Sequence, residues 1–117
     1  MRDFHNLGIW KRSHQLTLDV YQATKSFPSE EVFGLTSQLR RAVASIPTNI
    51  AEGCGRASNK ELARFLQIAI GSVSEVEYEL LLANNLNYIN DTDYQKLSNE
   101  TIAVRKMIIK YQSELYE

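Results

Sequence analysis

The side chains best suited to bind a metal ion or attack a substrate are few in this sequence. Its two histidines, His5 and His14, have no cysteine or carboxylate at metal-ligand spacing, and no His-Glu-x-x-His segment occurs. The single cysteine, Cys54, lies between two glycines without a local base to activate it. We therefore expect no catalytic residue, no metal and no cofactor. A lone cysteine also forms no intrachain disulfide, which is typical of a cytoplasmic protein.

An acidic run, consisting of Glu75, Glu77 and Glu79, lies in the third helical segment. Glu75 and Glu79 are four residues apart and share a helix face, where like charges repel each other mildly. Such a pair could bind a metal or act in acid–base catalysis. Charged runs on helices are more often solvated, so we expect these carboxylates to face water.

One set of polar residues has regular helical spacing. Its six members follow at intervals of 3, 4, 4, 3 and 4 residues and would form a continuous strip along one side of a helix. This polar strip consists of Gln38, Arg41, Ser45, Asn49, Glu52 and Arg56. Two interpretations stay open: a hydrogen-bonded strip that orders the helix at a subunit contact, or a site for a ligand or a phosphate backbone.

The net charge of −1 hides an uneven distribution of charge along the chain. Residues 1–64 contain nine basic and six acidic side chains, whereas residues 65–117 contain four and eight. Binding to nucleic-acid phosphates needs clustered basic side chains. A candidate basic corner at the junction of the second and third helices consists of Arg40, Arg41, Arg56, Lys60 and Arg64. Alternatively, these side chains pair with acids of the third helix or of a neighbouring copy.

Four segments with helical periodicity must position these side chains. Only five glycines and two prolines occur in 117 residues, which indicates a few long helices rather than many turns. We predict helices over residues 7–27, 35–52, 59–87 and 93–116. Pro47 lies inside the second pattern without changing its phase, and we expect a kink there rather than a break.

Capping signals mark the starts of the last two helices. Ser58 with Glu61, and Thr92 with Gln95, match the capping box. Residues 1–117 have room for one hydrophobic core, and we predict a single all-α domain, an antiparallel up-down-up-down four-helix bundle. No segment approaches the roughly 20 apolar residues that a membrane helix needs, so no membrane partner is expected.

The apolar residues exceed what one small bundle must hide. Ile102, Ile109 and Tyr116 recur every seven residues beside the main apolar stripe of the fourth helix. A second apolar face usually marks a partner surface, and we expect a homo-oligomer. Gly71, in the middle of the third helix, would also allow another backbone to approach closely.

Several of these residues belong to a longer pattern. Its most specific block is SIPTNIAEGCGR at residues 45–56, with further matches at Ile9-Trp10, Gln38-Leu39-Arg40-Arg41 and Gly71-Ser72. The pattern resembles the 23S rRNA intervening-sequence protein family, also called the S23 family. The resemblance implies a homopentamer of four-helix bundles around a central channel, without defined catalytic residues.

Two functions follow from this resemblance. The first is a non-enzymatic interaction or scaffold protein whose biochemical role is undefined. The second is an accessory protein that binds RNA or a nucleic-acid-processing protein through basic surfaces. Related accessory proteins of diversity-generating retroelements share this fold and are thought to bind in this way.

Overall fold

Four α-helices account for most of the chain. The computed structural model describes residues 2–116, and within that range it contains no β-strand. The helices are α1 (Gly8–Thr24), α2 (Leu35–Cys54), α3 (Asn59–Asn85) and α4 (Asp91–Glu114). Short 3₁₀ helices at Phe4–Asn6 and Ser29–Glu31 precede α1 and α2. The all-α prediction is confirmed.

The starts of α3 and α4 follow from local capping chemistry. The Ser58 hydroxyl accepts a hydrogen bond from the Glu61 N–H at 3.1 Å, as expected for the start of α3. The expectation for α4 is wrong by two residues. Asn90, not Thr92, is the N-cap, and its side-chain oxygen accepts a hydrogen bond from the Asp93 N–H at 2.7 Å. Asparagine is preferred over threonine at this position.

Pro47 does not divide the second helix, because α2 is continuous from Leu35 to Cys54. Proline removes one backbone hydrogen bond from a helix interior and crowds the preceding turn. The buried side chains on either side of it, Ile46 and Ile50, nevertheless remain on the core face. Burial of this apolar face offsets the lost hydrogen bond.

The core lies between the four helices, each of which packs against two others: α1 against α2 and α4, and α3 against α2 and α4. Its fully buried side chains come from every helix and are mostly branched aliphatic residues. The largest are Leu16, Leu39, Ile46, Ile50, Leu62, Leu66, Leu80 and Ile108. The predicted apolar stripes therefore face one another, and the polar strip lies beside the core.

Polar contacts tie each helix to its neighbours. The Thr17 hydroxyl on α1 donates to the Val43 carbonyl on α2 at 3.2 Å. Between α1 and α4, Arg12 Nε donates to a carboxylate oxygen of Glu100 at 2.6 Å. Between α3 and α4, the Gln112 amide donates to the Ala63 carbonyl at 2.9 Å. These bonds fix the level at which each pair of helices meets.

The close approach of α2 to α3 depends on Gly53. A Cβ atom at Gly53 would lie 2.8 Å from Leu62 Cδ1 and 2.9 Å from Phe65 Cβ, distances that real Cβ atoms essentially never show. Gly71 behaves differently from the expectation of a close backbone contact. Apart from the adjoining part of α3 itself, no described residue has an atom within 4 Å of the position that its Cβ would occupy.

The two glycines provide a matched test of this packing. We expect Gly53→Ala to lower the free energy of unfolding by about 1–3 kcal/mol, because the added methyl overpacks the α2–α3 contact. Gly71→Ala should raise it by about 0.5–1 kcal/mol, because alanine favours a helix interior and the methyl meets open space. Urea denaturation of both variants measures these changes. Equal effects would contradict the close contact at Gly53.

Candidate functional site

The polar strip runs along the side of α2 that borders α3. The Asn49 amide donates to the Ser45 carbonyl at 2.8 Å and to the Ser45 hydroxyl at 3.0 Å. The Ser45 and Ser72 hydroxyls are hydrogen-bonded at 2.7 Å, which links the strip to α3. Near the end of α2, an oxygen of Glu52 lies 3.5 Å from an Arg56 guanidinium nitrogen. The strip is thus hydrogen-bonded in its middle and ion-paired at its C-terminal end.

A shallow polar groove lies at the N-terminal part of this strip. It has a volume of about 350 Å³ and is lined by Gln38, Arg41, Ala42, Ser45 and Glu75. Arg41 and Glu75 provide one positive and one negative side chain, and both are exposed. The groove therefore brings part of the polar strip together with one member of the acidic run.

Glu79 contradicts the expectation that the whole acidic run faces water. Its side chain is only 4% exposed, and neither carboxylate oxygen has a hydrogen-bond partner among the described residues. Burial, reinforced by the negative charge of Glu75 one turn earlier, raises the pKa of Glu79 from 4.5 to about 7. Its helix position explains the burial, because it follows Ser72 by two turns on the side of α3 that meets α2.

The remaining acid, Glu77, makes a contact of a different kind. Its carboxylate pairs with the guanidinium of Arg105 on α4. The acidic run is therefore split among three environments: Glu75 in the groove, Glu77 in an ion pair and Glu79 in the protein interior. No group of three or more side chains able to hold a metal ion occurs within residues 2–116.

The five residues of the predicted basic corner do not form one patch. Arg56, Lys60 and Arg64 lie at the α2–α3 junction, where the guanidinium groups of Arg56 and Arg64 lie 4.8 and 5.0 Å from the centre of the Phe65 ring. Arg2 joins them by donating to the Asn59 side chain at 2.9 Å. The basic corner is thus smaller than predicted, and it gains a residue from the N-terminal segment.

Arg40 and Arg41 lie elsewhere, because α2 is a continuous rod. Arg41 precedes the end of α2 by thirteen residues, which is about 20 Å of helix. Arg40 is directed towards α1, where its Nε donates to the Thr24 hydroxyl at 2.8 Å and its guanidinium lies over the Tyr21 ring at 4.9 Å. The side chains of these two adjacent arginines therefore lie on different surfaces of the bundle.

An aromatic groove between α1 and α2 was not identified from the sequence. Four rings lie in succession at its edge: Phe4 and Trp10 are 4.9 Å apart, Phe4 stacks on His5 at 4.0 Å, and Trp10 stacks on His14 at 4.9 Å. The groove holds about 380 Å³. The signal available in the sequence was the spacing of Trp10 and His14, which are one helical turn apart.

Cys54 is not suited to nucleophilic chemistry. It is buried at the end of α2, and its carbonyl accepts a hydrogen bond from the Arg2 N–H at 2.9 Å. Burial raises the pKa of its thiol above the ordinary value. The thiolate, which is the reactive form, is therefore disfavoured at neutral pH.

The fold and these surfaces can now be compared with known proteins. The family model described as 23S rRNA-intervening sequence protein matches residues 5–110. The chain therefore belongs to the 23S rRNA-intervening sequence protein family, as its sequence pattern suggested. None of the helices described in residues 2–116 is long and apolar enough to cross a membrane.

A solved relative supports the same architecture. The crystal structure of a protein with unknown function from the S23 ribosomal protein family of Bacteroides thetaiotaomicron matches with a TM-score of 0.80 and 23% sequence identity. The match covers 89% of this chain and 97% of that chain, and at this identity it shows the fold. No curated protein matches this chain. These comparisons indicate a family of unknown function and point to no catalytic family.

The buried Glu79 predicts a specific dependence of stability on pH. Because its pKa is higher in the folded chain than the ordinary 4.5, the folded state holds a proton that the unfolded state releases. The contribution of Glu79 to stability should be fullest below pH 4.5 and should decline as the pH rises to about 7.

Glu79→Gln tests this dependence, because glutamine keeps the shape of the side chain and cannot ionise. We expect the variant to be more stable than the wild type at pH 8 by about 1–3 kcal/mol, because the folded wild type then holds a buried negative charge that the neutral amide lacks. The difference should shrink towards pH 4.5. Glu61→Gln, at an exposed position near the start of the same helix, is the control. Parallel stability–pH curves for wild type and Glu79→Gln would refute the burial of an ionisable carboxyl.

Proposed function

We propose that the protein is a non-enzymatic, cytoplasmic interaction or scaffold protein that assembles from copies of itself. Its unit is a single up-down-up-down bundle formed by residues 1–117. This topology is supported by the contacts between successive helices, in which a residue late in one helix meets a residue early in the next. Examples are Thr24 with Arg40 and Asn84 with Asp91.

The observation that carries self-assembly is the amount of apolar surface left uncovered. Ten large apolar side chains of residues 2–116 are exposed. Scattered examples are ordinary on monomers, but two of the ten belong to the column predicted for the fourth helix. Ile109 on α4 is 46% exposed, and Tyr116, just beyond the end of α4, is 65% exposed, whereas Ile102 is only partly exposed. Covering such a column requires a partner, and copies of the same chain supply one with the correct shape each time.

A homopentamer is the assembly that we favour. The resemblance to the family implies five copies around a channel, and closed rotational symmetry lets each copy use two different surfaces. The side chains with the most reactive groups are engaged in packing: His14 lines the aromatic groove, His5 stacks on Phe4, and Cys54 is buried.

Sedimentation velocity tests this proposal directly. We expect one species of about five times the 13.4 kDa chain mass at micromolar protein concentration. It should withstand added salt, because burial of apolar surface is not screened by ions. A monomer mass at every concentration would overturn self-assembly, and a closed species with another number of copies would overturn the pentamer.

A second candidate function is binding to the phosphate backbone of RNA through the basic corner. The favourable observation is the convergence of Arg2, Arg56, Lys60 and Arg64 at one end of the bundle. In an assembly with rotational symmetry, this cluster would recur once in each copy. The nearby Glu52 reduces its charge by pairing with Arg56, so the attraction to RNA should be modest.

Charge reversal separates this second function from the first. If RNA binds here, Arg56→Glu with Lys60→Glu and Arg64→Glu should abolish binding. The logarithm of the wild-type association constant should fall linearly with the logarithm of the salt concentration. The control reverses Lys106 and Lys110, which are exposed on α4. Fluorescence anisotropy with a structured RNA gives both results. Undetectable wild-type binding at low salt would eliminate RNA as a ligand of this corner.

A further inference from the structure

Phe33 has the largest exposed fraction of any large apolar side chain in the described residues. It is 95% exposed and precedes α2 by two residues. Presenting a whole phenyl ring to water is unfavourable, because solvated apolar area raises the free energy of the molecule. An isolated bundle gains no stability from this arrangement, whereas a binding partner that covers the ring would remove its apolar area from water.

The turn that carries Phe33 is held in place by a network of hydrogen bonds. The Gly34 N–H donates to the Glu31 carbonyl at 2.9 Å. The Glu31 carboxylate accepts from the Leu35 N–H at 3.1 Å and from the Tyr88 hydroxyl at 2.8 Å. These two bonds lower the pKa of Glu31, so it stays ionised and keeps the turn closed at neutral pH. Phe33 is therefore presented on a fixed support.

The aromatic groove has the chemistry to receive such a ring. Its walls include the Trp10 and His14 rings on α1, and its floor on α2 is built from small side chains and a proline. The lining residues are Phe4, Trp10, His14, Thr17, Ala44, Pro47, Thr48 and Ala51. Aromatic pairs at an edge-to-face or offset geometry contribute beyond the apolar area that they bury.

The charges around the two features are complementary. Glu30, three residues before Phe33, is exposed and has no ion pair among the described residues. Lys11 and His14 lie on the exposed side of α1 next to Trp10. Two acids near the groove already have partners: Asp3 contacts His5 at 2.7 Å and Glu52 contacts Arg56 at 3.5 Å. The segment that carries Phe33 therefore has an unpaired negative charge at Glu30, and the edge of the groove has a positive charge at Lys11.

The Phe33 ring cannot enter the groove of its own chain. Twelve residues of α2 separate Leu35, where the helix starts, from Pro47 in the groove, which is about 18 Å of rigid helix. Phe33 is thus a knob, and the aromatic groove is a hole at a different place on the same chain. Copies joined knob to hole are arranged head to tail, and they close into a ring when the rotation from one copy to the next is a whole fraction of a full turn.

We propose that Phe33 of one copy inserts into the aromatic groove of the next copy, with Glu30 facing Lys11 and His14. The proposal rests on the self-assembly proposed above and identifies the contact that drives it. Each copy then supplies one knob and one groove.

Trp10, the only tryptophan in the chain, reports on the groove directly. We expect Phe33→Ala to weaken association by about thirtyfold or more, as is typical when a central aromatic residue of an interface is truncated. The fluorescence emission maximum of Trp10 should move to longer wavelength in the variant. Acrylamide should also quench this fluorescence more strongly, because the indole ring is more exposed to water. Leu81→Ala, which truncates an exposed side chain on α3, should change neither the sedimentation nor the emission.

A mixing experiment distinguishes a head-to-tail contact from other interfaces. Phe33→Asp removes the knob, and Thr48→Phe fills the groove at an exposed position. Each variant alone should be monomeric, whereas their equimolar mixture should form a two-chain species through the one intact knob and the one intact groove. The far-ultraviolet circular dichroism of each variant confirms that the bundle is folded.

Three outcomes would overturn the contact. If the wild type assembles and Phe33→Ala retains both its mass and its Trp10 emission, self-assembly stands and the proposed contact fails. If the wild type is monomeric, the self-assembly proposal fails and this contact fails with it. If Phe33→Ala stays assembled and its Trp10 emission responds to a single-stranded oligonucleotide, the groove is a base-stacking site.

Discussion

The approach of α2 to α3 is the constraint on which the rest of the structure depends. Gly53 allows this approach at one end, where Leu62 and Phe65 occupy the space of a side chain. The Ser45–Ser72 hydrogen bond holds the two helices near the middle. Because both helices are long and continuous, fixing them at two levels fixes their whole length. The positions of the basic corner, the polar groove and Glu79 all follow from that pairing.

This pairing also explains why polar residues lie where they do. In the middle of the polar strip, Asn49, Ser45 and Ser72 satisfy one another's hydrogen bonds, which stabilises the helix pair. Glu79 is the exception, because the same contact buries a carboxyl group without a partner. A protein that buries such a group gives up stability at neutral and alkaline pH.

Much of the fold was predictable from the sequence, and the reasons are physical. Apolar periodicity located all four helices, and Ser58 marked the start of α3 because its capping chemistry is local. The start of α4 was misplaced since two capping residues compete within three positions. The split of the basic corner was not predictable from spacing alone. Arg40 and Arg41 are adjacent in the chain, yet one contacts α1 and the other lines the groove beside α3.

The aromatic groove and the burial of Glu79 were missed for a related reason. Both depend on which side chains of a neighbouring helix lie opposite a given residue. This arrangement is set by how the two helices pack, and the sequence of either helix alone does not determine it. The exposed apolar surface, in contrast, was visible as an excess in the sequence. Family membership then accounts for the bundle, whereas the surface chemistry of this chain accounts for what the bundle is proposed to do.

Self-assembly, as proposed here, covers the Phe33 ring that a single bundle leaves exposed and the Trp10 side of the groove that receives it. Hydroxyl-radical footprinting over a range of protein concentrations measures this coverage for individual side chains. We expect Phe33 and Trp10 to lose reactivity together as the protein concentration rises, whereas Leu81 keeps its reactivity. Constant reactivity of Phe33 at every concentration, at the level of a fully exposed ring, would contradict this expectation.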